Sequence, residues 1–338
     1  MLRALGGLRM KRAVVLLAAI LTALGPIASA AGDGTRSSSD VRIWKIHYRA
    51  RGGVRRAAYV VLPAWYGPTE DPPIPLIVSP HGRGLTGRDN AKLWGSLPAR
   101  GSFAVVNPDG TSRYSYGAPG QIDDLARMPS ILGRTLPWLH VDRARVFAFG
   151  GSMGGQETLL LVARYPRLLA GAAAFDSVTD LAAQYRAFPH LRCGRLCERE
   201  WKGSIGAGLQ KLVRQELGGS PKARPRAYAL RSPIAFARDL AFSCVPIQLW
   251  WSSADLIVRH QEERQSGRLF RAIRRLNPEA PVEAFTGLWI HSDEMRASSR
   301  LPLALATFGL LAPREGLRTH RLHVIPPPAS FAGCLARR

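Results

Sequence analysis

The residues best suited to chemistry in this sequence surround Ser152, in the glycine-rich stretch Gly150 to Gly154. This stretch has the pattern G-x-S-x-G and lies between the apolar run Ala144 to Phe149 and an apolar segment long enough for a helix. A serine on a sharp strand-to-helix turn can attack an acyl carbonyl if its neighbours lack bulk, and Gly150 and Gly154 meet that condition. The pattern therefore indicates a serine nucleophile.

Two other kinds of glycine-rich turn also follow a strand, the phosphate loop and the dinucleotide-binding turn. The sequence after Gly150 has no G-K-[ST] ending and no G-x-G-x-x-G pattern. We therefore favour the nucleophile and predict no cofactor.

A serine hydroxyl is a poor nucleophile near neutral pH, so a base must take its proton and a carboxylate must orient that base. Asp255 follows the apolar run Val245 to Trp251, and His291 follows the next predicted strand. Both would lie at the carboxyl edge of a parallel sheet, where ligands bind in open α/β sheets. The predicted catalytic triad is Ser152, His291 and Asp255.

Other residues compete for the roles of acid and base. Asp176 and Asp180 follow an earlier predicted strand and could serve as the acid, although surface and helix-capping roles are commoner for such residues. The competing histidines are less well placed: His260 is expected to begin a helix, and His320 and His323 fall in an irregular tail.

An acyl-transfer site also needs backbone donors for the developing oxyanion. The first would be the amide of Met153, directly after the serine. The second would be the amide of Arg83, in the stretch Pro80 to Gly84 that follows the apolar run Pro75 to Val78. The alternative is that this stretch is an ordinary glycine-rich turn.

These segments belong to an alternation of strands and helices. Such an alternation predicts an α/β fold, a mainly parallel twisted sheet with helices on both faces. The predicted strands are 43–48, 57–62, 75–78, 103–107, 144–149, 169–175, 245–251 and 282–285, and the predicted helices are 123–139, 153–165 and one from about 293.

The domain prediction is a flexible lead-in over 31–40, one catalytic domain over 41–312 and an irregular tail over 313–338. The strand–helix alternation stops in an insertion of about 181–243. That insertion is either a cap over the site or an extra surface helix pair with no role there.

Residues 1–30 are predicted to be a signal peptide. Basic residues precede the apolar run Ala13 to Ile27, and the small residues Ala28 to Ala30 suit cleavage. We therefore expect a secreted or envelope-associated protein, with an uncleaved anchor as the alternative.

All four cysteines lie beyond this leader, where an even count favours disulfides. Three pairings of Cys193, Cys197, Cys244 and Cys334 are possible, and the sequence does not choose among them. The alternative is a zinc site formed by His190, Cys193 and Cys197. Because no fourth ligand is in view, we predict no metal.

The chain has a net charge of +23, carried mostly by arginine. A basic surface would be drawn to an anionic envelope surface, the alternative being a compositional bias toward arginine. Because the arginines are scattered and form no long run of like charge, we expect no nucleic-acid binding.

Several stretches resemble the prolyl-oligopeptidase-like and esterase branch of the α/β-hydrolase superfamily. They are HGRG from His81, YGAPGQIDD from Tyr116, VDRARVFAFGGSMGGQETLLLVARYP from Val141, RSP from Arg231, WWSSADLIV from Trp250 and the histidine loop from Gly287. The resemblance implies an α/β-hydrolase fold with a cap-like insertion, the triad named above and an acyl-enzyme mechanism.

Two departures from that family concern substrate specificity and the geometry of the histidine loop. The chain has no room for the propeller of true prolyl oligopeptidases, and Ile290 stands where the family often has glycine before the histidine. We therefore expect an esterase acting on a small ester, with a serine peptidase as the alternative. A second alternative is an inactive hydrolase fold that binds the envelope.

Three tryptophans, Trp250, Trp251 and Trp289, flank the predicted site residues. They are candidates for an apolar or sugar-stacking wall that binds substrate, the alternative being that they are core aromatics.

Overall fold

A nine-stranded sheet organises the computed structural model, which describes residues 40–191, 205–313 and 322–328. The strands are β1 (Val41–Arg49), β2 (Arg55–Pro63), β3 (Ile74–Val78), β4 (Ala104–Pro108), β5 (Val141–Gly151), β6 (Gly171–Phe175), β7 (Ile247–Ser252), β8 (Val282–Gly287) and β9 (His323–Ile325). Their order across the sheet is β1-β2-β4-β3-β5-β6-β7-β8-β9. The strands β3 to β8 pair in parallel, whereas β1–β2, β2–β4 and β8–β9 pair antiparallel.

Helices connect these strands and cover both faces of the sheet. In the described residues the α-helices are α1 (Gly87–Leu93), α2 (Leu97–Gly101), α3 (Pro119–Thr135), α4 (Met153–Arg164), α5 (Leu181–Ala187), α6 (Ile205–Leu217), α7 (Pro225–Ala229), α8 (Ala237–Ala241), α9 (Gln261–Arg264), α10 (Ser266–Leu276) and α11 (Leu301–Thr307). Short 3-10 helices lie at Pro166–Leu168, Phe188–His190, Pro233–Phe236 and Asp293–Met295. None of these helices is long and apolar enough to cross a membrane.

Successive residues of a strand pack into two separate hydrophobic cores, one on each face of the sheet, because side chains alternate between the two faces. On β3, Leu76 and Val78 join the core that also holds residues of α3, α4 and α10, whereas Ile77 joins the core under α1, α2 and α11. A strand with apolar residues on both faces reads as a continuous apolar run, which is why the central strands could be predicted.

The predicted strands are confirmed to within a few residues, and the helix limits differ for local reasons. The helix predicted over 123–139 is α3. It begins earlier, at Pro119, because proline suits the first turn of a helix. It ends earlier, at Thr135, because Pro137 disfavours helical backbone at the residue before it. The helix expected from about 293 is only a 3-10 turn there, and α11 begins at Leu301.

The tail predicted to be irregular contains β9, which pairs with β8 in the register Phe285 to Val324. The helices α1 and α2 were likewise not predicted. Residues 1–39, which include the predicted leader and all but the last residue of the predicted lead-in, lie outside the described residues, and so do Cys193, Cys197 and Cys334. Cys244 is disulfide-bonded.

The insertion packs against the turn that carries the predicted nucleophile. A third apolar cluster joins Leu209 and Val213 of α6 to Met153 at the start of α4 and to Val258 in the loop after β7. The insertion therefore lies beside the predicted nucleophile, and its role as a cap stays a prediction.

Candidate active site

Ser152 lies at the turn between β5 and α4 with φ 58° and ψ −121°, a region that residues other than glycine rarely adopt. Its N–H donates to the Phe175 carbonyl at 2.7 Å. A Cβ at Gly154 would collide with the Pro80 carbonyl, and one at Gly150 would collide with the backbone of Gly154. The glycines of the pattern are therefore needed for this turn to form.

Asp255 and His291 meet at the same edge of the sheet. The Asp255 Oδ2 lies 2.8 Å from the His291 Nδ1, and the Asp255 Oδ1 accepts the backbone N–H groups of Ile257 and Val258 at 2.8 and 2.9 Å. The Asp255 side chain is fully buried and that of His291 is 18% exposed. Because Nδ1 faces the carboxylate, Nε2 is the ring nitrogen left to accept a proton.

The histidine loop also contacts the turn that carries Ser152. Ser292 is the residue after His291, and its Oγ would lie 3.3 Å from a Cβ placed on Gly151. The structure thus brings the two loops together, while the proton transfer from Ser152 to His291 stays a prediction.

The electrostatic surroundings of His291 favour its charged form. Burial lowers its pKa, but the hydrogen bond to Asp255 and the charges of Asp255 and Asp176 outweigh burial, so the pKa is raised above its ordinary value. An imidazole with a raised pKa is a stronger base once it is deprotonated, which suits a general base.

Asp176, one of the two competing acids, does not hydrogen-bond His291. It is fully buried after β6, and it accepts the Ser252 N–H at 2.8 Å, the Trp289 Nε1–H at 3.1 Å and the Ser292 N–H at 2.9 Å. Asp176 therefore braces the histidine loop against β7.

Asp180, the other competing acid, caps α5 by accepting the Ala183 N–H and pairs with Arg268. His260 lies directly before α9, as predicted, and His323 is exposed on β9.

Ligand atoms of Asp176, Asp255 and His291 lie within 4.8 Å of one another, which is close enough for a shared cation. Hydrogen bonds from backbone N–H, indole N–H and imidazole already reach these carboxylates. This donor set satisfies the oxygens in the way that a buried anion requires, and it does not resemble an open metal site.

The two predicted oxyanion donors lie on loops that contact each other. No described residue accepts the backbone N–H of Met153 or of Arg83. The Arg83 loop is fixed by His81, whose Nδ1 lies 2.9 Å from the Gly82 carbonyl and whose Nε2 accepts the Gly110 N–H at 3.1 Å. His81 therefore ties this loop to the one after β4.

The prediction of a tryptophan wall is wrong for Trp250 and Trp251. Trp250 is fully buried and stacks on Phe285 with ring centroids 3.9 Å apart, and Trp251 lies in the core on the opposite face of the sheet. Trp289 is 6% exposed. Its indole N–H donates to Asp176 and its ring lies under the Arg300 guanidinium.

A buried polar network that was not predicted connects α4 to the insertion. Glu157 of α4 accepts the Ser115 Oγ–H at 2.5 Å, and Arg231 donates to the Ser115 carbonyl at 2.9 Å and pairs with Glu216 of α6. Burial raises the pKa of Glu157 and lowers that of Arg231. Glu157 and Arg231 lie in two of the stretches that resemble the hydrolase family, those that begin at Val141 and at Arg231.

Exposed apolar side chains stand beside both halves of the acid–base pair. Leu256, directly after Asp255, is 69% exposed, and Leu288 and Ile290 of the histidine loop are 62% and 67% exposed.

Solved structures with this architecture include peptidases and esterases. An acylaminoacyl peptidase from Pyrococcus horikoshii superposes with a TM-score of 0.56 at 17% identity, over 81% of this chain and 43% of the peptidase. An esterase from Pyrococcus furiosus superposes with a TM-score of 0.53 at 12% identity, over 84% of this chain and 95% of the esterase. A thermostable esterase from Pseudomonas putida superposes with a TM-score of 0.56 at 18% identity, over 81% of this chain and 82% of the esterase.

No family model and no curated protein sequence matches the chain. At these identities the structural likeness establishes the fold alone, and the predicted α/β-hydrolase fold is confirmed. The chain spans less than half the length of the acylaminoacyl peptidase.

Proposed function

We propose that this protein is a serine hydrolase that cleaves esters through an acyl-enzyme intermediate. The observation that carries the proposal is the 2.8 Å contact between His291 and Asp255, at the sheet edge where Ser152 occupies a strained turn. A buried carboxylate that orients a partly exposed imidazole beside a serine turn is the arrangement that nucleophilic catalysis needs.

In the proposed reaction, the Ser152 oxygen attacks the substrate carbonyl carbon while the His291 Nε2 takes the hydroxyl proton. The carbonyl oxygen becomes an anion that accepts hydrogen bonds from the Met153 and Arg83 amides. The bond to the leaving alcohol then breaks, and His291 returns the proton to that alcohol. Water repeats the sequence on the acyl-serine, which releases the acid and restores Ser152.

Reaction with a fluorophosphonate probe tests this class directly. We expect one probe per chain, attached to the peptide that contains Ser152 and absent after Ser152→Ala. A folded protein that the probe never labels would instead support the alternative of an inactive, envelope-binding hydrolase fold.

The exposed side chains Leu256, Leu288 and Ile290 support an ester substrate with an apolar acyl or alcohol part. The esterase is favoured over the peptidase because esters need less activation of the leaving group. The peptidase alternative is kept because one solved structure of this fold is an acylaminoacyl peptidase, although this chain spans only 43% of it.

We predict that Leu288→Ser raises KM about fivefold for nitrophenyl esters of long chain and leaves KM for the acetate nearly unchanged, because each buried methylene contributes roughly 0.8 kcal/mol. The measurement is a series of esters of graded chain length beside proline-containing peptide amides. Leu276→Ser is the matched control, since Leu276 is an exposed leucine at the end of α10. Equal effects of both substitutions, or faster cleavage of the peptide amides, would contradict the proposal.

We further propose that the protein is exported and that residues 1–30 are removed. The basic start, the apolar run and the small residues at Ala28 to Ala30 support this, as does the disulfide at Cys244. Expression in a secreting host should yield a mature chain that begins at Ala31 by N-terminal sequencing. A chain recovered with Met1 intact in the membrane fraction would show an uncleaved anchor instead.

A further inference from the structure

Two fully buried carboxyl groups lie behind the histidine loop, those of Asp176 and Glu294. Glu294 belongs to the 3-10 turn Asp293–Met295, which follows His291 closely. Asp176 receives three hydrogen-bond donors. Neither oxygen of Glu294 accepts a hydrogen bond from another residue that the structure describes, and its own backbone N–H is the one donor close to it.

A buried carboxylate that no other residue supplies with a donor is strongly disfavoured, and the two neighbouring carboxylates of Asp176 and Asp255 disfavour its charged form further. The charged groups that act on this position are Asp176, Asp255 and His291, with Arg83 acting on His291. One imidazole does not neutralise three carboxylates. The arrangement becomes favourable when Glu294 carries a proton, because a carboxylic acid can donate to a facing carboxylate.

We infer that Asp176 and Glu294 share one proton and act as positioning residues, the protonated Glu294 donating to Asp176 and thereby fixing the loop that carries His291. Asp176 would fix this loop by accepting hydrogen bonds from Ser292 and Trp289, and Glu294 would fix the 3-10 turn that follows by donating to Asp176. The inference rests on the proposed function, because it assigns the pair a role in orienting the general base.

The direction of the pKa shifts agrees with this geometry. The pKa of Glu294 is raised well above its ordinary value by burial, by the charge of Asp176 and by a hydrogen bond to Asp176, which together outweigh the lowering effect of its own backbone N–H. Burial and the charge of Asp255 also raise the pKa of Asp176, but the backbone N–H groups of Ser292 and Ser252 favour its ionised form. The shared proton therefore belongs on Glu294.

A raised pKa fixes how stability should depend on pH. Between the ordinary pKa of a glutamate and the raised pKa of Glu294, the folded protein binds one proton more than the unfolded chain. Stability from this group therefore falls as pH rises through that interval. Loss of the proton would leave two facing carboxylates behind His291 and disturb its orientation.

Glu294→Gln separates this role from simple packing, because the amide can donate to Asp176 at every pH and does not titrate. We expect melting temperatures of the wild type to fall relative to those of Glu294→Gln by roughly 3 °C or more from about pH 5 to about pH 9. We also expect labelling of the variant by fluorophosphonate to remain close to wild type at neutral pH. Its decline at alkaline pH should move upward by about one pH unit.

Asp176→Asn tests the other half of the pair. One oxygen is replaced by an NH2 group that would face an N–H donor, so we expect kcat to fall about tenfold or more with little change in KM. Glu283→Gln is the matched control, since Glu283 is a carboxyl on β8 whose pKa burial also raises. It should leave the alkaline limb of activity where it is.

Identical pH dependence of melting in the wild type and Glu294→Gln would overturn the shared proton, whatever the activity. An unmoved alkaline limb in Glu294→Gln, or a limb moved equally by Glu283→Gln, would overturn the positioning role. If the wild type is never labelled, the proposed function fails, while the melting comparison still decides the protonation of the pair.

Discussion

Replacing Ser152 by alanine should lower ester turnover by about a millionfold and leave the fold intact. The loss is large because the attacking oxygen itself is removed, so that only substrate binding and the oxyanion donors remain. Alanine and serine share the Cβ that makes φ 58° unfavourable, so the substitution adds no backbone strain at this turn. The measurement is steady-state hydrolysis of a nitrophenyl ester, beside the circular dichroism spectrum and melting temperature of both proteins.

Ser253→Ala is the matched control for this experiment. Ser253 lies in the loop that carries Asp255, and its exposed hydroxyl donates only to the Gly287 carbonyl at 3.2 Å. Its removal should change turnover by less than about threefold, as expected for a surface substitution. A folded Ser152→Ala protein that keeps most of its turnover would refute the nucleophile assignment.

Asp255→Asn should lower kcat/KM by about ten-thousandfold near neutral pH. The amide of asparagine can present its NH2 group to Nδ1, which would place the imidazole proton on Nε2 and leave no base for Ser152. The substitution also removes the contacts that raise the pKa of His291, so that pKa should fall. Because activity requires neutral His291, the acid limb of the pH profile of kcat/KM should move to lower pH.

The profile should be measured from about pH 5 to about pH 9 for the wild type, Asp255→Asn and Asp293→Asn. Asp293 is the control because it follows His291 closely and pairs on the surface with Arg296. Its variant should keep both the rate and the acid limb. A similar loss in Asp293→Asn, or an acid limb that stays in place in Asp255→Asn, would contradict the role assigned to Asp255.

Much of the fold could be predicted because the central strands are apolar on both faces and the connecting helices are amphipathic. The turn that carries Ser152 could be found for a related reason. Close contacts with Pro80 and within the turn itself require its glycines. The pattern is therefore local and can be recognised in the sequence. Asp255 and His291 could be placed because the carboxyl ends of parallel strands meet at one edge.

The roles of Asp176 and Glu294 could not be predicted, since they depend on burial and on contacts between segments far apart in sequence. Asp176 receives donors from residues 76, 113 and 116 positions away along the chain. The tryptophan wall failed for a simpler reason. Adjacent residues of a strand point to opposite faces, and both faces of β7 are covered by helices, so Trp250 and Trp251 had to be core residues.

The short strand β9 has a consequence for self-association. Without it, β8 would end the sheet with a row of unpaired backbone groups, next to the loop that carries His291. Such a row is a template on which another polypeptide can add a strand. By pairing with Ala284 to Thr286, residues His323 to Ile325 occupy that template from within the same molecule. The strand β9 thus protects the β8 edge against edge-to-edge association with another molecule.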